Sequence, residues 1–277
     1  MIPIPFFKMS GSGNDFILID NRQGVVPEAL LNSIIVGACR RKHGVGADGL
    51  ILIENPETDQ AAFKWRFFNS DGSVAEMCGN GARCAARFAV IQGISENELA
   101  FDTLAGRIQA VVGKNSVKVR MPDPTGFETH VSLEIDGTPM TVGVVNTGVP
   151  HAVVRVDDVN SVDVVEIGRK IRFHSYFAPA GTNANFVWLS PDGRILIRTY
   201  ERGVEDETLA CGTGNVAAAL ILAHDAGKAS PITLTTRGGT DQTVHFSMID
   251  GKFWNVFLEG EARVIYSGKL WDEAWKA

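Results

Sequence analysis

The feature that most constrains this chain is an internal repeat with an offset of 133 residues. The segments "EMCGNGARCAARFAV" (76–90) and "LACGTGNVAAALIL" (209–222) each place a cysteine directly before Gly-x-Gly and an Ala-rich apolar run. The two cysteines are Cys78 and Cys211. Self-similarity at one fixed offset is typical of a fold that is built twice from the same unit.

Other features recur at nearly the same offset. A strand-like run that ends at Asn69 precedes the first cysteine, and one that ends at Glu201 precedes the second. The segment "GADGLILIE" (46–54) corresponds in the same way to "GTNANFVWL" (181–189). Offsets this consistent, between elements of the same kind, predict two equivalent halves that each contain strands and a helix.

Strand patterns outnumber helix patterns along the chain. Helices are predicted over 27–41, after Gly81 and after Gly214. The last of these is apolar on every side over 216–223, so it must be buried all round, with sheets about it. Strands are predicted from runs rich in Val, Ile and Phe between turn residues. These runs cover 16–20, 50–54, 63–69, 108–113, 117–122, 142–148, 151–157, 185–190, 195–201, 231–236 and 253–260.

The predicted fold class is α+β. It has two pseudo-symmetric domains, each a strand-rich barrel or sandwich wrapped around a central helix. The N-terminal half is assigned to 1–120, joined by 264–277, and the C-terminal half to 121–263.

The bulk properties exclude several classes of protein. A net charge of −6 disfavours a general binder of nucleic acid phosphates. No run of 18 apolar residues predicts a membrane span, and the N-terminus has no secretory signal pattern, so the expected location is the cytoplasm. Four cysteines in a cytosolic chain of this length do not indicate a disulfide framework, and their spacing is not that of a zinc site. Cys39 and Cys84, which lack the glycines, are expected to be structural.

The repeated Cys-Gly-x-Gly segments point to a specific chemistry. A helix start presents unpaired N–H groups and the positive end of the helix dipole, and glycines let an anion approach the backbone. The same dipole is expected to stabilise a thiolate. If both helix starts face one pocket, one sulfur can remove a proton from a carbon while the other protonates its opposite face. A lone cysteine at a helix start is usually a small buried apolar residue, but two at equivalent positions favour the catalytic interpretation.

Polar residues near strand ends are candidates to complete the pocket. Asn14, Asn69 and Asn183 are either turn formers or substrate ligands. The pair Glu201-Arg202 is either a surface ion pair or a clamp for a zwitterion. His151 is either a core histidine or a group that tunes a nearby thiol.

The motifs taken together resemble those of diaminopimelate epimerases. The resemblance runs in order over about 1–265 and depends on "GNDF", "GADG", "FFNSDGSVAEMCGNGARC", "NTGVPH", "GTNANFV" and "YERGVEDETLACGTGN". The related proline racemases have a histidine where Asn80 stands and lack the Glu-Arg pair.

The resemblance implies a cofactor-independent isomerase. It would interconvert LL- and meso-2,6-diaminopimelate in lysine and peptidoglycan precursor biosynthesis, with no cofactor and no metal. Its partner would be a small amino acid rather than nucleic acid or a membrane, and a homodimer is a further expectation.

The resemblance also assigns roles to residues. Cys78 and Cys211 would be the two bases, the first for the LL isomer and the second for the meso isomer. His151 and Glu201 would adjust the pKa of the thiols. Substrate would be bound by Asn14, Asn69, Gly79, Asn80, Asn183, Glu201, Arg202, Gly212 and Thr213.

This chain departs from the family pattern at three places. Val149 stands where some members have asparagine, and Gly49 where others have glutamine. The run from Glu201 to Cys211 is one residue longer than the commonest pattern, and the extra residue falls within 204–207.

Two alternatives remain open at the level of sequence. One is another racemase of the same fold, of the proline or hydroxyproline type, against which Asn80 and the pair Glu201-Arg202 speak. The other is a non-catalytic module whose helix starts bind an anion, and in that case the cysteines are incidental. A Cys/His metal protein is disfavoured because no histidine lies near Cys78 and Cys84.

Overall fold

A computed structural model describes residues 3–276 of the chain. These residues form two compact units. The first unit runs to Val119 and resumes at Gly260, and the second is Arg120–Glu259.

Eighteen strands and four α-helices make up the described residues. The strands are β1 Ile4–Gly11, β2 Asn14–Asp20, β3 Gly49–Glu54, β4 Phe63–Asn69, β5 Val74–Ala75, β6 Glu98–Thr103, β7 Gly106–Val112, β8 Ser116–Arg120, β9 Thr125–Ile135, β10 Thr138–Asn146, β11 Pro150–Arg155, β12 Asn183–Leu189, β13 Ile195–Glu201, β14 Asp206–Thr208, β15 Ile232–Thr235, β16 Asp241–Ile249, β17 Lys252–Glu261 and β18 Arg263–Leu270. The helices are α1 Leu31–Cys39, α2 Gly79–Ile91, α3 Val164–Arg172 and α4 Gly212–Ala226.

The first unit is a mixed sheet around α2. Its strands pair in the order β18-β1-β2-β3-β4-β6-β7-β8, with parallel pairs at β2–β3 and β4–β6. The short β5 pairs antiparallel with β4. Helix α2 packs against β1, β2, β3 and β7, so its side chains form the centre of the main apolar cluster.

The second unit repeats this topology. Its strands pair in the order β9-β10-β11-β12-β13-β15-β16, with parallel pairs at β11–β12 and β13–β15, and β14 pairs with β13 as β5 does with β4. Helix α3 follows β11 as α1 follows β2, and α4 precedes β15 as α2 precedes β6. The predicted α+β class is therefore confirmed, whereas the division at 120 and 264 into two catalytic halves stays a prediction.

Helix α4 is enclosed by its sheet. Every residue from 214 to 223 is buried, as the lack of a polar face predicts. The close approach depends on Gly143 in β10, because a Cβ atom there would lie 2.7 Å from Cδ1 of Ile221. No helix within residues 3–276 has the length and apolar character needed to cross a bilayer.

The helix boundaries differ from those predicted. Helices α2 and α4 begin at Gly79 and Gly212, three residues earlier than expected, so each cysteine is itself the residue that precedes the first turn. Helix α1 is shorter than 27–41 and follows a 3₁₀ turn at Glu28–Leu30. Helix α3 was not predicted, although the Asp163 carboxylate accepts a hydrogen bond from the Glu166 N–H and gives it an ordinary capping signature.

All the predicted strands overlap observed ones. The strands that sequence patterns missed include β1, β6, β9, β16 and β18. Most side chains of β9 and β18 are exposed or half-buried, so these strands lack the apolar runs on which the prediction depends.

Candidate active site

Both cysteines occupy the N-cap of the central helix of their unit. Cys78 has φ −147° and ψ 118°, and Cys211 has φ −120° and ψ 109°, so both are extended. Their carbonyl oxygens accept the first helical hydrogen bonds, from Ala82 N at 2.8 Å and Asn215 N at 3.0 Å. Each cysteine therefore precedes a first turn whose N–H groups have no partner within the helix.

The Cys211 thiol is held in its neutral form. Burial, and next the charge of Glu201, raise its pKa to about 12, although the Thr213 hydroxyl, 3.5 Å from Sγ, and backbone N–H groups act in the opposite direction. The helix start therefore lowers the pKa of this thiol as expected, but by less than desolvation and the charge of Glu201 raise it. The thiol of Cys211 therefore carries its proton at neutral pH.

Cys39 and Cys84 are core residues. Cys39 lies at the end of α1 and Cys84 in the middle of α2, and both side chains are buried. Burial raises the pKa of each thiol to about 12. Neither lies at the start of a helix, where unpaired N–H groups could bind an anion.

Asn14 and Asn80 are brought together in the first unit, although they are 66 residues apart in sequence. Asn80 Nδ2 donates to Asn14 Oδ1 at 2.7 Å. Asn14 Nδ2 in turn donates to Asp48 Oδ2 at 2.9 Å. Asp48 is also bound by the Arg41 guanidinium, at 2.9 Å from Oδ1. Two of the predicted substrate ligands therefore belong to one hydrogen-bonded chain that begins beside Gly79 at the start of α2.

Asn69 lies at the exposed end of β4, within a tight turn. Its Nδ2 donates to Ser73 Oγ at 3.0 Å. It pairs with Gly49 across the sheet, and the next residue, Ser70, donates its N–H to the Asp48 carbonyl at 3.0 Å. The turn is thereby fixed to Asp48, the residue before β3 that also accepts from Asn14.

His151 and Asn185 form a buried pair in the second unit. The His151 Nδ1 and Asn185 Nδ2 atoms lie 3.1 Å apart. Burial lowers the pKa of His151 to about 3, and the charge of Arg202 acts in the same direction. Asn185 Oδ1 accepts from Thr199 Oγ1 at 3.0 Å, which leaves Nδ2 as the donor to the ring. His151 is therefore a neutral imidazole with its proton on Nε2.

Asn183 and Arg202 meet at the ends of β12 and β13. Asn183 Oδ1 accepts from the Arg202 N–H at 2.8 Å, and its Nδ2 donates to the Pro150 carbonyl at 3.1 Å. The Arg202 guanidinium donates to the Ala180 carbonyl at 3.3 Å. Asn183 thus fixes the backbone from which Arg202 projects.

Glu201 is a half-buried carboxylate at the end of β13. Burial raises its pKa, and its charge acts on the thiol of Cys211. Gly212 and Thr213 open α4 directly after that thiol, and the Thr213 carbonyl accepts from Thr147 Oγ1 at 3.0 Å. Glu201, Cys211, Gly212 and Thr213 thus lie together in the second unit.

The departures from the family pattern have local explanations at Gly49 and in the 204–207 turn. A Cβ atom at Gly49 would lie 2.6 Å from the ring of Phe67, so the ring occupies the space that a longer side chain would need. Glu205, in the lengthened turn, accepts from Arg172 Nε at 3.0 Å and donates its N–H to the Glu201 carbonyl at 2.8 Å. Val149 is half-buried, and its carbonyl accepts from the Thr147 N–H.

Comparison with known proteins identifies the family. A family model described as diaminopimelate epimerase matches residues 6–125 and 143–264. The chain belongs to the diaminopimelate epimerase family. The matched residues include both Cys-Gly-x-Gly segments.

Relatives named diaminopimelate epimerase match this chain over nearly their full length. A protein of Aquifex aeolicus named diaminopimelate epimerase is 48% identical over 97% of this chain and 98% of its own. One of Hydrogenobaculum sp. with the same name is 42% identical over 95% of this chain and 97% of its own. By family, the chain is an isomerase.

Solved structures share the fold at low sequence identity. A phenazine biosynthesis protein of the PhzF family from Bacillus anthracis superposes with a TM-score of 0.72 at 16% identity, over 98% of this chain and 100% of its own. A probable proline racemase from Agrobacterium radiobacter gives 0.67 at 16% identity, over 97% and 93%. At this identity the likeness shows the fold alone.

Three residues that sequence patterns did not single out form hydrogen bonds with the predicted site residues. They are Arg83, Thr147 and Asn185. Arg83 and Asn185 lie inside the quoted motifs "CGNGARC" and "GTNANF", so their position next to predicted ligands was the available signal.

Proposed function

We propose that this chain interconverts LL- and meso-2,6-diaminopimelate without a cofactor. Relatives of that name match it at up to 48% identity over nearly the whole chain. In the proposed reaction a Cα–H bond breaks as an S–H bond forms at one cysteine, and the S–H bond of the other breaks as a new Cα–H bond forms on the opposite face. Atoms and charge balance, and the two sulfurs exchange protonation states.

One observation carries the proposal: Cys78 and Cys211 each cap the central helix of a unit with the same topology. The N–H groups of the first turn, at Gly79-Asn80 and Gly212-Thr213, would bind the carboxylate of the reacting amino acid. They would then stabilise the charge that develops when the α-proton leaves, as an oxyanion hole does.

The protonation state of Cys211 supports different roles for the two thiols. Cys211, neutral through burial and beside Glu201, is ready to give a proton. In that state Cys78 would remove the α-proton of the LL isomer. Cys211 would act as the base on the meso isomer once the two thiols have exchanged protonation states. Glu201 and the neutral His151 would adjust these states, since Glu201 raises the pKa of Cys211.

The remaining ligands would select a substrate with two amino acid ends. Arg202 can bind a carboxylate in a bidentate manner, and Glu201 can accept from an ammonium. Asn14, Asn69 and Asn183 would orient the polar groups of the substrate without adding charge.

We place this activity in lysine and peptidoglycan precursor synthesis, in the cytoplasm, with a small amino acid as the only partner. A homodimer is part of the same proposal, and the mass of the protein in solution tests it.

Solvent exchange tests the reaction directly. LL-2,6-diaminopimelate incubated in D₂O with the protein should gain α-deuterium and give the meso isomer, whereas L-proline should not exchange. Cys78→Ser and Cys211→Ser should each abolish inversion, and Cys39→Ala should retain it. Full inversion by either serine variant would refute the two-cysteine mechanism. Deuteration of proline alone would favour the racemase alternative, and exchange of neither would favour an anion-binding module.

A further inference from the structure

Arg83 is a fully buried cation in the helix that Cys78 caps. Its side chain is 0% exposed. A charge taken out of water is costly unless it is paired and hydrogen-bonded, so a buried arginine needs a reason for its place. Gly260 makes room for the Arg83 side chain, because a Cβ atom at Gly260 would lie 3.0 Å from the guanidinium carbon.

The partners of Arg83 are neutral oxygens. Its Nη2 donates to Asn80 Oδ1 at 2.5 Å and to Ser12 Oγ at 2.9 Å. Its Nε is 3.4 Å from the Glu261 carbonyl oxygen. Within residues 3–276 the buried Nη1 atom has no hydrogen-bond partner. The strongest contact of the cation is therefore the amide oxygen of Asn80.

That contact fixes the direction of a chain of amides. Because Asn80 Oδ1 faces the guanidinium, its Nδ2 donates to Asn14 Oδ1, and Asn14 Nδ2 donates to Asp48 Oδ2. A cation stands at one end and a carboxylate at the other. Flipping either amide would place N–H groups against N–H groups, or a carbonyl oxygen against a carboxylate.

The direction determines what the two asparagines offer to a ligand. Each Nδ2 has two N–H groups, and each has used one within the chain. One N–H group of each Nδ2 therefore remains available to a ligand. A donor pair recognises a carboxylate and does not recognise an ammonium.

We propose that Arg83 is a positioning residue that, with Asp48 at the other end, orients the Asn80 and Asn14 amides as N–H donors to a substrate carboxylate. This inference rests on the proposed function. It names the group of the substrate that the first unit binds and the buried charge that sets this preference.

The test compares two substrates. LL-diaminopimelate and its monoamide, in which one carboxylate is a carboxamide, are assayed by α-deuteration in D₂O with wild type, Arg83→Gln, Arg83→Lys and Asp48→Asn. Wild type should prefer the diacid. In Arg83→Gln and Asp48→Asn an amide is free to turn its oxygen toward the site, so the ratio of kcat/KM for diacid over monoamide should fall by about tenfold, mainly through KM. Arg83→Lys, which keeps the charge, should retain most of the ratio.

Arg87→Gln is the matched control, because Arg87 lies one turn further along α2 and donates to the Ala262 carbonyl. It should keep the wild-type ratio. An unchanged ratio in folded Arg83→Gln, or in Asp48→Asn if the former does not fold, would overturn the inference. Equal losses for both substrates would also overturn it and indicate a purely structural role. Absence of exchange by wild type would instead refute the proposed function.

Discussion

The Nδ1 atom of His151 accepts a hydrogen bond from Asn185, 3.1 Å away, and burial holds the ring neutral. Asn185 cannot reverse this bond cheaply, because its Nδ2 also donates to the Ala152 carbonyl at 3.0 Å and its Oδ1 accepts from Thr199. The histidine at the opening of β11 is therefore an uncharged dipole near α4, and the proton on its Nε2 is not released at neutral pH.

This pair predicts a pH dependence of stability. The folded pKa of about 3 lies below the ordinary value of 6.5, so the unfolded state binds the extra proton first. The stabilisation that neutral His151 permits is complete above pH 6.5 and is lost as the pH falls toward 3, on the order of a few kcal/mol. Urea unfolding at pH 7 and pH 5 should show that the free energy of unfolding falls less for His151→Gln than for wild type. Equal losses would show that His151 is protonated without strain.

Glu201 predicts a change in the reactivity of Cys211. Its carboxylate raises the pKa of that thiol, so Glu201→Gln should lower the pKa, although burial keeps it above the usual range. In a Cys78→Ser background, alkylation of Cys211 at pH 8–9 should accelerate by up to about tenfold, as one pKa unit allows. Peptide mass spectrometry measures the rate at this cysteine. Asp206→Asn, an exposed change in the same turn, is the control, and an equal acceleration there would contradict the assignment.

The turn before the second cysteine predicts a binding defect. Glu205 accepts from the Gly203 N–H at 3.0 Å and from Arg172 Nε at 3.0 Å, and these donors hold the pKa of its carboxyl below the usual range. Glu205→Ala should loosen the backbone that carries Arg202, raising KM for diaminopimelate by about three- to tenfold with little change in kcat. Thermal unfolding should change little, since the pair is partly exposed. A loss confined to kcat would place Glu205 in the chemical step instead.

Packing around α4 predicts a stability defect with a specific rescue. Gly143→Ala would place a Cβ atom 2.7 Å from Ile221, and overpacking of this kind costs about 1–3 kcal/mol. Chemical denaturation measures the loss. Ile221→Val removes one of the crowded atoms, so the double variant should lose less than the sum of the two single changes. Additive losses would show that the two residues do not press on each other.

The sequence was sufficient to place Cys78 and Cys211 at helix starts and to predict the repeated fold, because both depend on patterns that are visible along the chain. Gly-x-Gly before an apolar run marks a helix start, and a fixed offset marks duplication. Helix α3 was missed because its apolar pattern is short, although Asp163 and Glu166 gave a usable capping signal.

The partners of the site residues were not predictable in the same way. In the sequence, Arg83 is a single charge in an apolar helix. Its hydrogen bond to Ser12, which is 71 residues earlier in the chain, depends on the folded sheet. The neutral state of Cys211 was missed for a related reason. A helix dipole can be inferred from sequence, but desolvation depends on everything packed around the sulfur.

The enclosure of α4 links Cys211 to a buried helix in the core of its unit. The residues from 214 to 223 lie inside, so their amides reach water only when the surrounding sheet opens. Heat or denaturant that loosens surface turns would leave this sulfur anchored, and its loss of position would coincide with collapse of the whole unit. Gradual inactivation on warming should therefore begin elsewhere, in the turns that carry the ligands.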